Sequence, residues 1–325
     1  MNFKVIIPHH IITVPYFWYI YRSLYKLSQE NKIELIINNN PPPADWQRYC
    51  ASIFIDGKPI VIDLCDSSCF ATWELEKHPL GTILLKANYS QELWNNPPAS
   101  FEHKLPEDQK KYLSFIKPFV FGRALSCNFD WNEKEHYAKY ISPISKIIVS
   151  LSGEGKYAQQ TDNRLKIYDF VSRWVPNVEL LWNPREHFEE ENKIVNYTQR
   201  IQPYAKPDKS IFGSYENYIK WLSTGKYSLN TPGISASQPF RLVDAILAQR
   251  STISTKIWID SCKECPTTSI PMEGYFNNIP EDPETAKNIL TSLNTRSYSL
   301  NEAEQWYDNY LSVNGMFKQL MKGVS

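Results

Sequence analysis

The fold class follows from residues 3–38, FKVIIPHHIITVPYFWYIYRSLYKLSQENKIELIIN. A short apolar run at Phe3–Ile7 is typical of a buried strand, and a second such run covers Ile33–Ile37. Between them, apolar side chains recur at helical spacing over Pro15–Glu30, which predicts an amphipathic helix. Strand, helix and strand in this order predict a βαβ unit, the repeating element of a doubly wound parallel sheet.

The same alternation continues along the chain and then restarts. Residues 51–64 predict a β-hairpin with an Asp56-Gly57 turn, and a new series of strands and helices begins at Lys146. Within that series, we predict strands at Lys226–Leu229 and Lys256–Ile259. A chain of 325 residues is long enough for two domains.

We therefore predict an α/β protein of two Rossmann-like doubly wound domains that face each other across a cleft. The first is an acceptor-side domain at 1–142, and the second is a donor-binding domain at 143–298. The remaining C-terminal helices, at 299–325, are predicted to cross back and pack on the first domain. Residues 282 and 283, Asp-Pro, are typical of a helix start, as is the capping box at 299–302.

Composition excludes several classes of protein. Lysine plus arginine and aspartate plus glutamate both number 35, so the formal net charge is zero, which argues against a general nucleic-acid binder. No run reaches the roughly 18 apolar residues of a membrane span. The first residues do not read as a signal peptide, so we expect a cytoplasmic protein.

Six cysteines are present, and we expect them to be reduced thiols because a cytoplasmic chain of this length needs no disulfides. Cys262 and Cys265 form a C-x-x-C, but a second pair at zinc-site spacing is missing from the sequence. We therefore expect that pair to be structural and predict no metal site. The full set is Cys50, Cys65, Cys69, Cys127, Cys262 and Cys265.

The stretch SASQPFRLVDAILAQRSTIST, residues 235–255, predicts a loop, a short helix and a β-prone exit. Ser237 or Gln238 can cap this helix, whose N-terminus can hold a phosphate. Arg241 can pair with phosphate, and Asp244 can accept hydrogen bonds from ribose hydroxyls. Together these residues describe a nucleotide-diphosphate site. The alternative is an Arg241–Asp244 pair on an exposed helix, worth roughly a few tenths of a kcal/mol.

The run YENYIKWLSTGKYSLNTPG at 215–233, followed by FRLVDAI at 240–246, resembles the donor domain of GT-B glycosyltransferases, most closely the exostosin-like group. The shared pattern is a helix, a strand, a Pro-Gly turn and Ser-x-Arg-x-x-Glu/Asp-Ala. In this chain the serine stands four residues before the arginine rather than two, and aspartate replaces the commoner glutamate. The resemblance implies a nucleotide-sugar donor site at Arg164, Ser237, Gln238, Phe240, Arg241 and Asp244.

The other domain would supply the acceptor and any general base. Ligands of doubly wound sheets bind outside the carboxyl ends of the strands, and His9, His10 and Asp66 follow predicted strands there. Inverting sugar transfer needs a base near neutral pH, so these three are the candidate catalytic residues. The alternatives are histidines hydrogen-bonded to backbone and an aspartate that caps a turn.

We predict a glycosyltransferase that moves a sugar from a nucleotide-diphosphate sugar to a hydroxyl of a glycan acceptor. No D-x-D stands between apolar strands, which favours transfer without a metal or any other cofactor. The alternative is a non-catalytic two-domain protein that binds a sugar. An ordinary P-loop enzyme is disfavoured because the sequence has no G-x-x-x-x-G-K-[ST] loop. The sequence leaves open the sugar, the acceptor and the oligomeric state.

Overall fold

The structure is a computed structural model, and it divides the chain into two compact units. The first comprises Met1–Asn132, Trp258–Cys265 and Glu304–Ser325, and the second comprises Glu133–Ile257 and Pro266–Ala303. The described residues are 3–40, 43, 45–66, 70–97, 105–122, 124, 147–153, 164–174 except 165, 168 and 172, 178–184, 214–233, 240–248, 250–272, 282–293 and 300–324.

The first unit contains a six-stranded sheet of order β2-β1-β3-β4-β5-β6. Its strand β3 runs antiparallel to both neighbours, and the other pairs are parallel. The carboxyl ends of the remaining five strands therefore lie on one edge of the sheet. The strands are β1 Phe3–Pro8, β2 Ile33–Asn38, β3 Cys50–Ile55, β4 Lys58–Asp63, β5 Ile83–Lys86 and β6 Ile116–Pro118.

The opening βαβ unit is confirmed, because β1 and β2 pair in parallel with Phe3 opposite Ile33. The helix between them starts with a 3-10 turn at Pro15–Phe17 and continues as an α-helix at Trp18–Gln29. The predicted hairpin is also confirmed. Asp56 and Gly57 have φ angles of 49° and 79°, the left-handed conformation that a type I′ turn requires at both central residues.

The helices are bounded by side-chain caps at several starts. Asp282 accepts a hydrogen bond from the Thr285 N–H at 3.2 Å, as the Asp-Pro pair predicts, whereas the predicted cap at 299 lies outside the described residues. Among the described residues, the α-helices are α1 His10–Thr13, α2 Trp18–Gln29, α3 Thr72–Leu75, α4 Gln91–Asn95, α5 Tyr215–Leu222, α6 Phe240–Leu247, α7 Pro283–Ser292, α8 Leu300–Tyr310 and α9 Val313–Met321, and a further helix lies within 164–174.

The second unit contains a five-stranded sheet of order β11-β10-β9-β7-β8, and all its pairs are parallel. Both units therefore have the α/β architecture that the sequence predicts. The strands are β7 Ile147–Gly153, β8 Val178–Pro184, β9 Tyr227–Asn230, β10 Ser251–Ser254 and β11 Thr267–Ser269.

The strand predicted at Lys256–Ile259 is wrong. The strand is Ser251–Ser254, which pairs with β9 and buries its β-branched residues Thr252 and Ile253. Trp258 and Ile259 are buried too, but in an irregular segment that belongs to the first unit. The apolar run at Lys256–Ile259 therefore indicated buried residues correctly but did not indicate a strand.

The C-terminal helix α9 packs on α2 of the first unit. The Ser23 hydroxyl donates to the Val313 carbonyl. Gln319 accepts a hydrogen bond from the Val120 N–H at 2.8 Å and donates to the Val120 carbonyl at 3.2 Å. None of the helices among the described residues combines the length and the apolar character needed to cross a membrane.

Replacing Gln319 by alanine is expected to lower the free energy of unfolding by about 1–3 kcal/mol, because it leaves buried backbone groups of Val120 without partners. The matched control is Lys318→Ala, an exposed change on the same helix, which is expected to cost less than about 0.5 kcal/mol. Urea denaturation of both variants measures the difference. Equal losses of unfolding free energy in the two variants would contradict a structural role for the hydrogen bonds between Gln319 and Val120.

Candidate functional site

The strand order of the second sheet reverses at β7, since β8 lies on one side of it and β9 on the other. In open α/β sheets, ligands bind outside the carboxyl ends of the strands at such a switch point. Here those ends are Gly153 of β7 and Asn230 of β9. The topology alone therefore places the candidate site of this unit beside the segment that follows Asn230.

Two arginines converge on that segment. The Arg241 guanidinium donates to the Thr231 carbonyl at 3.2 Å and contacts its hydroxyl oxygen at 3.4 Å. Arg164, on a helix within 164–174, reaches the next carbonyl, Pro232, at 3.5 Å. Both were predicted to bind a donor phosphate, and the structure brings them to consecutive residues at the end of β9.

Asn230, at the end of β9, also belongs to this candidate site, although no motif in the sequence indicates it. It is fully buried, and within the described part of the chain neither its amide oxygen nor its amide nitrogen has a hydrogen-bond partner. The N–H of Thr255 donates to the Asn230 carbonyl at 3.3 Å. The Thr255 hydroxyl is also buried and has no hydrogen-bond partner within the described part of the chain. An unsatisfied buried polar group costs about 1–3 kcal/mol, so this strand end is a candidate position for a polar ligand group.

Asp244 lies on α6 with 3% of its surface exposed and accepts a hydrogen bond from the Tyr215 hydroxyl of α5. The residues from Leu242 to Leu247 are all buried, so the alternative of an ion pair on an exposed helix is wrong. Phe240, at the start of α6, is half-buried. Ser237 and Gln238, the other predicted donor residues, lie outside the described residues.

The first sheet has its own reversal, between β2 on one side of β1 and the remaining strands on the other. His9 and His10 follow β1 at this edge, and Asp66 lies three residues past the end of β4. Because β1 and β4 point the same way, the structure places all three predicted catalytic residues at one edge of the sheet. His9 and Asp66 are exposed.

His10 differs from the other two because it is buried. Its Nε2 lies 2.9 Å from the Cys50 carbonyl oxygen and donates to it, and its ring packs edge-on against Phe17. Burial lowers the pKa of His10 despite the opposing influence of that hydrogen bond and of Glu74. This arrangement fits a positioning residue at the edge, and the exposed side chains of His9 and Asp66 are better placed to meet a substrate.

A buried ion pair between Asp63 and Lys86 supports the same edge. The Lys86 Nζ lies 3.1 Å from Asp63 Oδ1, and both side chains are at most 1% exposed. Asp63 Oδ2 also accepts from the Ala71 N–H at 3.0 Å, while Lys86 donates to the Cys65 carbonyl at 2.9 Å. In the sequence, the only indication of this pair is that one apolar strand ends in an aspartate and the strand beside it ends in a lysine.

Three potential metal ligands also meet at this edge: one atom each from Cys50, Asp63 and Cys65, all within 4.8 Å of one another. The Asp63 carboxylate is already held by Lys86 and by two backbone N–H groups. All four cysteines that the structure describes, including Cys262 and Cys265, are reduced thiols. Cys69 and Cys127 lie outside the described residues.

Comparison with known proteins gives fold likenesses only. No protein-family model matches the chain, and no curated protein matches it. Among solved structures, an OtsA apo structure aligns at 10% identity and TM-score 0.37, covering 64% of this chain and 48% of that one. The matched part of this chain therefore spans about half the length of OtsA.

Two other solved structures align over more of the chain. A glycosyltransferase from Rickettsia africae ESF-5 aligns at 11% identity and TM-score 0.42, covering 98% of this chain and 96% of that one. An S. aureus TarM mutant in complex with Fondaparinux, alpha-GlcNAc-glycerol and UDP aligns at 9% identity and TM-score 0.43, covering 85% and 64%. At these identities and TM-scores, the likenesses assign neither a family nor an activity, and the case for function rests on the site.

The Asp63–Lys86 pair predicts a large effect of its disruption. Lys86→Met leaves a buried carboxylate without its counter-charge, which is expected to lower the free energy of unfolding by about 3–5 kcal/mol. The control is Lys4→Met, which changes an exposed lysine on β1. Denaturant unfolding measures both, and a loss no larger than that of the control would show that the pair contributes nothing to stability.

The lowered pKa of His10 predicts how stability depends on pH. The unfolded chain, with an ordinary histidine pKa of 6.5, binds a proton more readily than the folded chain, so stability falls as the pH drops through about 6.5. His10→Gln keeps an N–H donor but does not titrate. We expect the wild type to lose more stability than this variant between about pH 7.5 and pH 5.5, measured by thermal unfolding. Parallel pH profiles would contradict the assignment.

Proposed function

We propose that the chain is a glycosyltransferase that takes a sugar from a nucleotide-diphosphate sugar. The observation that carries the proposal is the meeting of two guanidinium groups, Arg164 and Arg241, on the consecutive carbonyls Thr231 and Pro232 at the strand-order reversal of the second sheet. Two fixed positive charges at the position where α/β sheets bind ligands suit a diphosphate.

The motif resemblance supports the same assignment. It aligns Arg241 and Asp244 with donor-binding residues of the GT-B group, and the structure puts both on one helix beside the switch point. In our proposal the diphosphate binds near the arginines, while the ribose lies toward Asp244. Because the Tyr215 hydroxyl bonds to Asp244, Tyr215 would position that carboxylate. Charge on the leaving diphosphate would be met by the two arginines.

The first unit would bind the acceptor, a glycan hydroxyl. His9 and Asp66 are the candidate bases because both are exposed at the carboxyl edge of the first sheet, and His10 would position the backbone around them. A base that removes the hydroxyl proton fits transfer without a metal ion. We further propose that the reaction needs no other cofactor and takes place in the cytoplasm.

A nucleotide-binding screen tests the donor site. Wild-type protein is heated with UDP, GDP, CMP or dTDP, or with a nucleotide sugar that contains one of them, and the melting temperature is recorded. We expect one nucleotide class to raise it. Arg241→Met is expected to weaken binding of that nucleotide about 10- to 100-fold, the loss of roughly 1.5–3 kcal/mol for a charged hydrogen-bonding group.

The matched control is Arg173→Met, an exposed arginine on the helix that carries Arg164, which should bind as the wild type does. Asp244→Asn keeps an acceptor for Tyr215 but removes the charge, so it should fold normally and bind the nucleotide more weakly. Failure of every nucleotide to shift the melting temperature would favour a non-catalytic sugar-binding protein or an unrelated enzyme. A purely structural role for Arg241 would appear as lost stability with nucleotide binding unchanged.

A further inference from the structure

Two thiols stand side by side at the carboxyl edge of the first sheet. Cys50 opens β3 and Cys65 follows the end of β4, and their sulfur atoms are 3.6 Å apart. In the β3–β4 register Cys50 pairs with Asp63, two residues before Cys65. The hairpin itself therefore brings the two cysteines together, although 15 positions separate them in the sequence.

The backbone of Cys65 is held in place by side chains on both sides. Its N–H donates to Asp63 Oδ1 at 2.9 Å, and its carbonyl accepts from Lys86 Nζ and Asn88 Nδ2, each at 2.9 Å. These three bonds fix the direction from which the Cys65 thiol meets Cys50. A disulfide bond measures about 2.05 Å, so the two sulfur atoms must approach by about 1.5 Å from their separation of 3.6 Å.

A metal ion is the competing use of this cluster. The third ligand would be Asp63, whose Oδ1 already accepts from the Cys65 N–H and Lys86 and whose Oδ2 accepts from the Ala71 N–H. The ammonium group of Lys86 would also repel a divalent cation at this distance. The geometry therefore favours a bond between the two sulfurs over coordination of a metal.

The two cysteines differ in access, which assigns their roles. Cys50 is 1% exposed, whereas Cys65 is only half-buried. Because Cys50 is buried, the first attack on a dissolved disulfide belongs to Cys65 and the second step belongs to Cys50.

We propose that Cys50 and Cys65 form a reversible disulfide when the protein meets an oxidised small-molecule disulfide such as oxidised glutathione. Cys65 loses its proton and attacks one sulfur of the oxidant, and the first glutathione leaves as a thiol after taking up a proton. Cys50 then attacks the Cys65 sulfur, and its proton goes to the second departing glutathione. Two protein thiols and one glutathione disulfide thus become one protein disulfide and two glutathione thiols, so the protein is oxidised and glutathione is reduced.

This site goes beyond the proposed function and does not depend on it. The cysteine pair nevertheless contacts two of the candidate catalytic residues at the carboxyl edge of the first sheet. The Cys50 carbonyl accepts the hydrogen bond from His10, and Asp66 is the next residue after Cys65. A disulfide would therefore link the residue that accepts the hydrogen bond from His10 to the residue that directly precedes Asp66.

The experiment treats the full chain with oxidised glutathione at neutral pH, alkylates the remaining thiols and maps the peptides under non-reducing conditions by mass spectrometry. We expect a cross-linked peptide containing Cys50 and Cys65, a loss of two thiols and of the mass of two hydrogens, and full reversal by dithiothreitol. Cys262 and Cys265 are the internal control, because both are almost fully buried; they should remain thiols during the oxidation and appear as alkylated peptides once the protein is denatured.

Cys50→Ser should stop the reaction at a mixed disulfide on Cys65, and Cys65→Ser should abolish it. The wild-type map decides the question even if a variant folds poorly. The proposal is overturned by a cross-link that involves Cys69, Cys127, Cys262 or Cys265 in place of this pair, or by glutathione that remains attached to wild-type Cys65. Retention of one zinc ion that protects both thiols from alkylation would likewise replace the disulfide with a metal site.

Discussion

Parallel strands deliver their carboxyl ends to one edge of a sheet, and this constraint shapes both units of the protein. In the first sheet five strands share a direction, and β3 alone runs against them. In the second sheet all strands share it. The chain has to turn away after each strand, so backbone carbonyls and N–H groups accumulate at these edges and need partners.

The two units satisfy those backbone groups with charged side chains in different ways. In the first unit the buried pair of Asp63 and Lys86 binds the Cys65 backbone from both sides, and the two charges of the pair compensate each other. In the second unit Arg164 and Arg241 donate to the carbonyls that follow β9, which brings positive charge to the strand-order reversal. The pair in the first unit holds the backbone at the sheet edge, whereas the two arginines in the second unit suit an anionic ligand.

Much of the architecture could be predicted from local sequence. Alternating apolar runs gave the strands, and the Asp56-Gly57 and Asp282-Pro283 pairs gave a turn and a helix start, because each depends on neighbouring residues alone. The strand misplaced at Lys256–Ile259 shows the limit of that reasoning. Trp258 is buried and belongs to a unit whose other segments are far away in the sequence, and local periodicity does not report on such long-range packing.

The candidate site was predictable only in part for the same reason. Arg241 and Asp244 could be found because they share one helix with a family-like motif. Their hydrogen-bond partners, Thr231 and Tyr215, come from other segments of the chain. The meeting of Cys50 and Cys65 depends on the register of a hairpin, and the orphaned amide of Asn230 depends on complete burial. Neither is visible from residue types and spacing.

The measurement that tests the central claim most directly is the slow hydrolysis of nucleotide sugars without an acceptor. Purified protein is incubated with UDP-, GDP-, CMP- and dTDP-sugars, and the released nucleotide is quantified by chromatography alongside the Arg241→Met variant. The account predicts release from one nucleotide class, at a rate that the variant lowers strongly. Release from none of them by a protein that binds a nucleotide would contradict a transferase and would leave a binding protein.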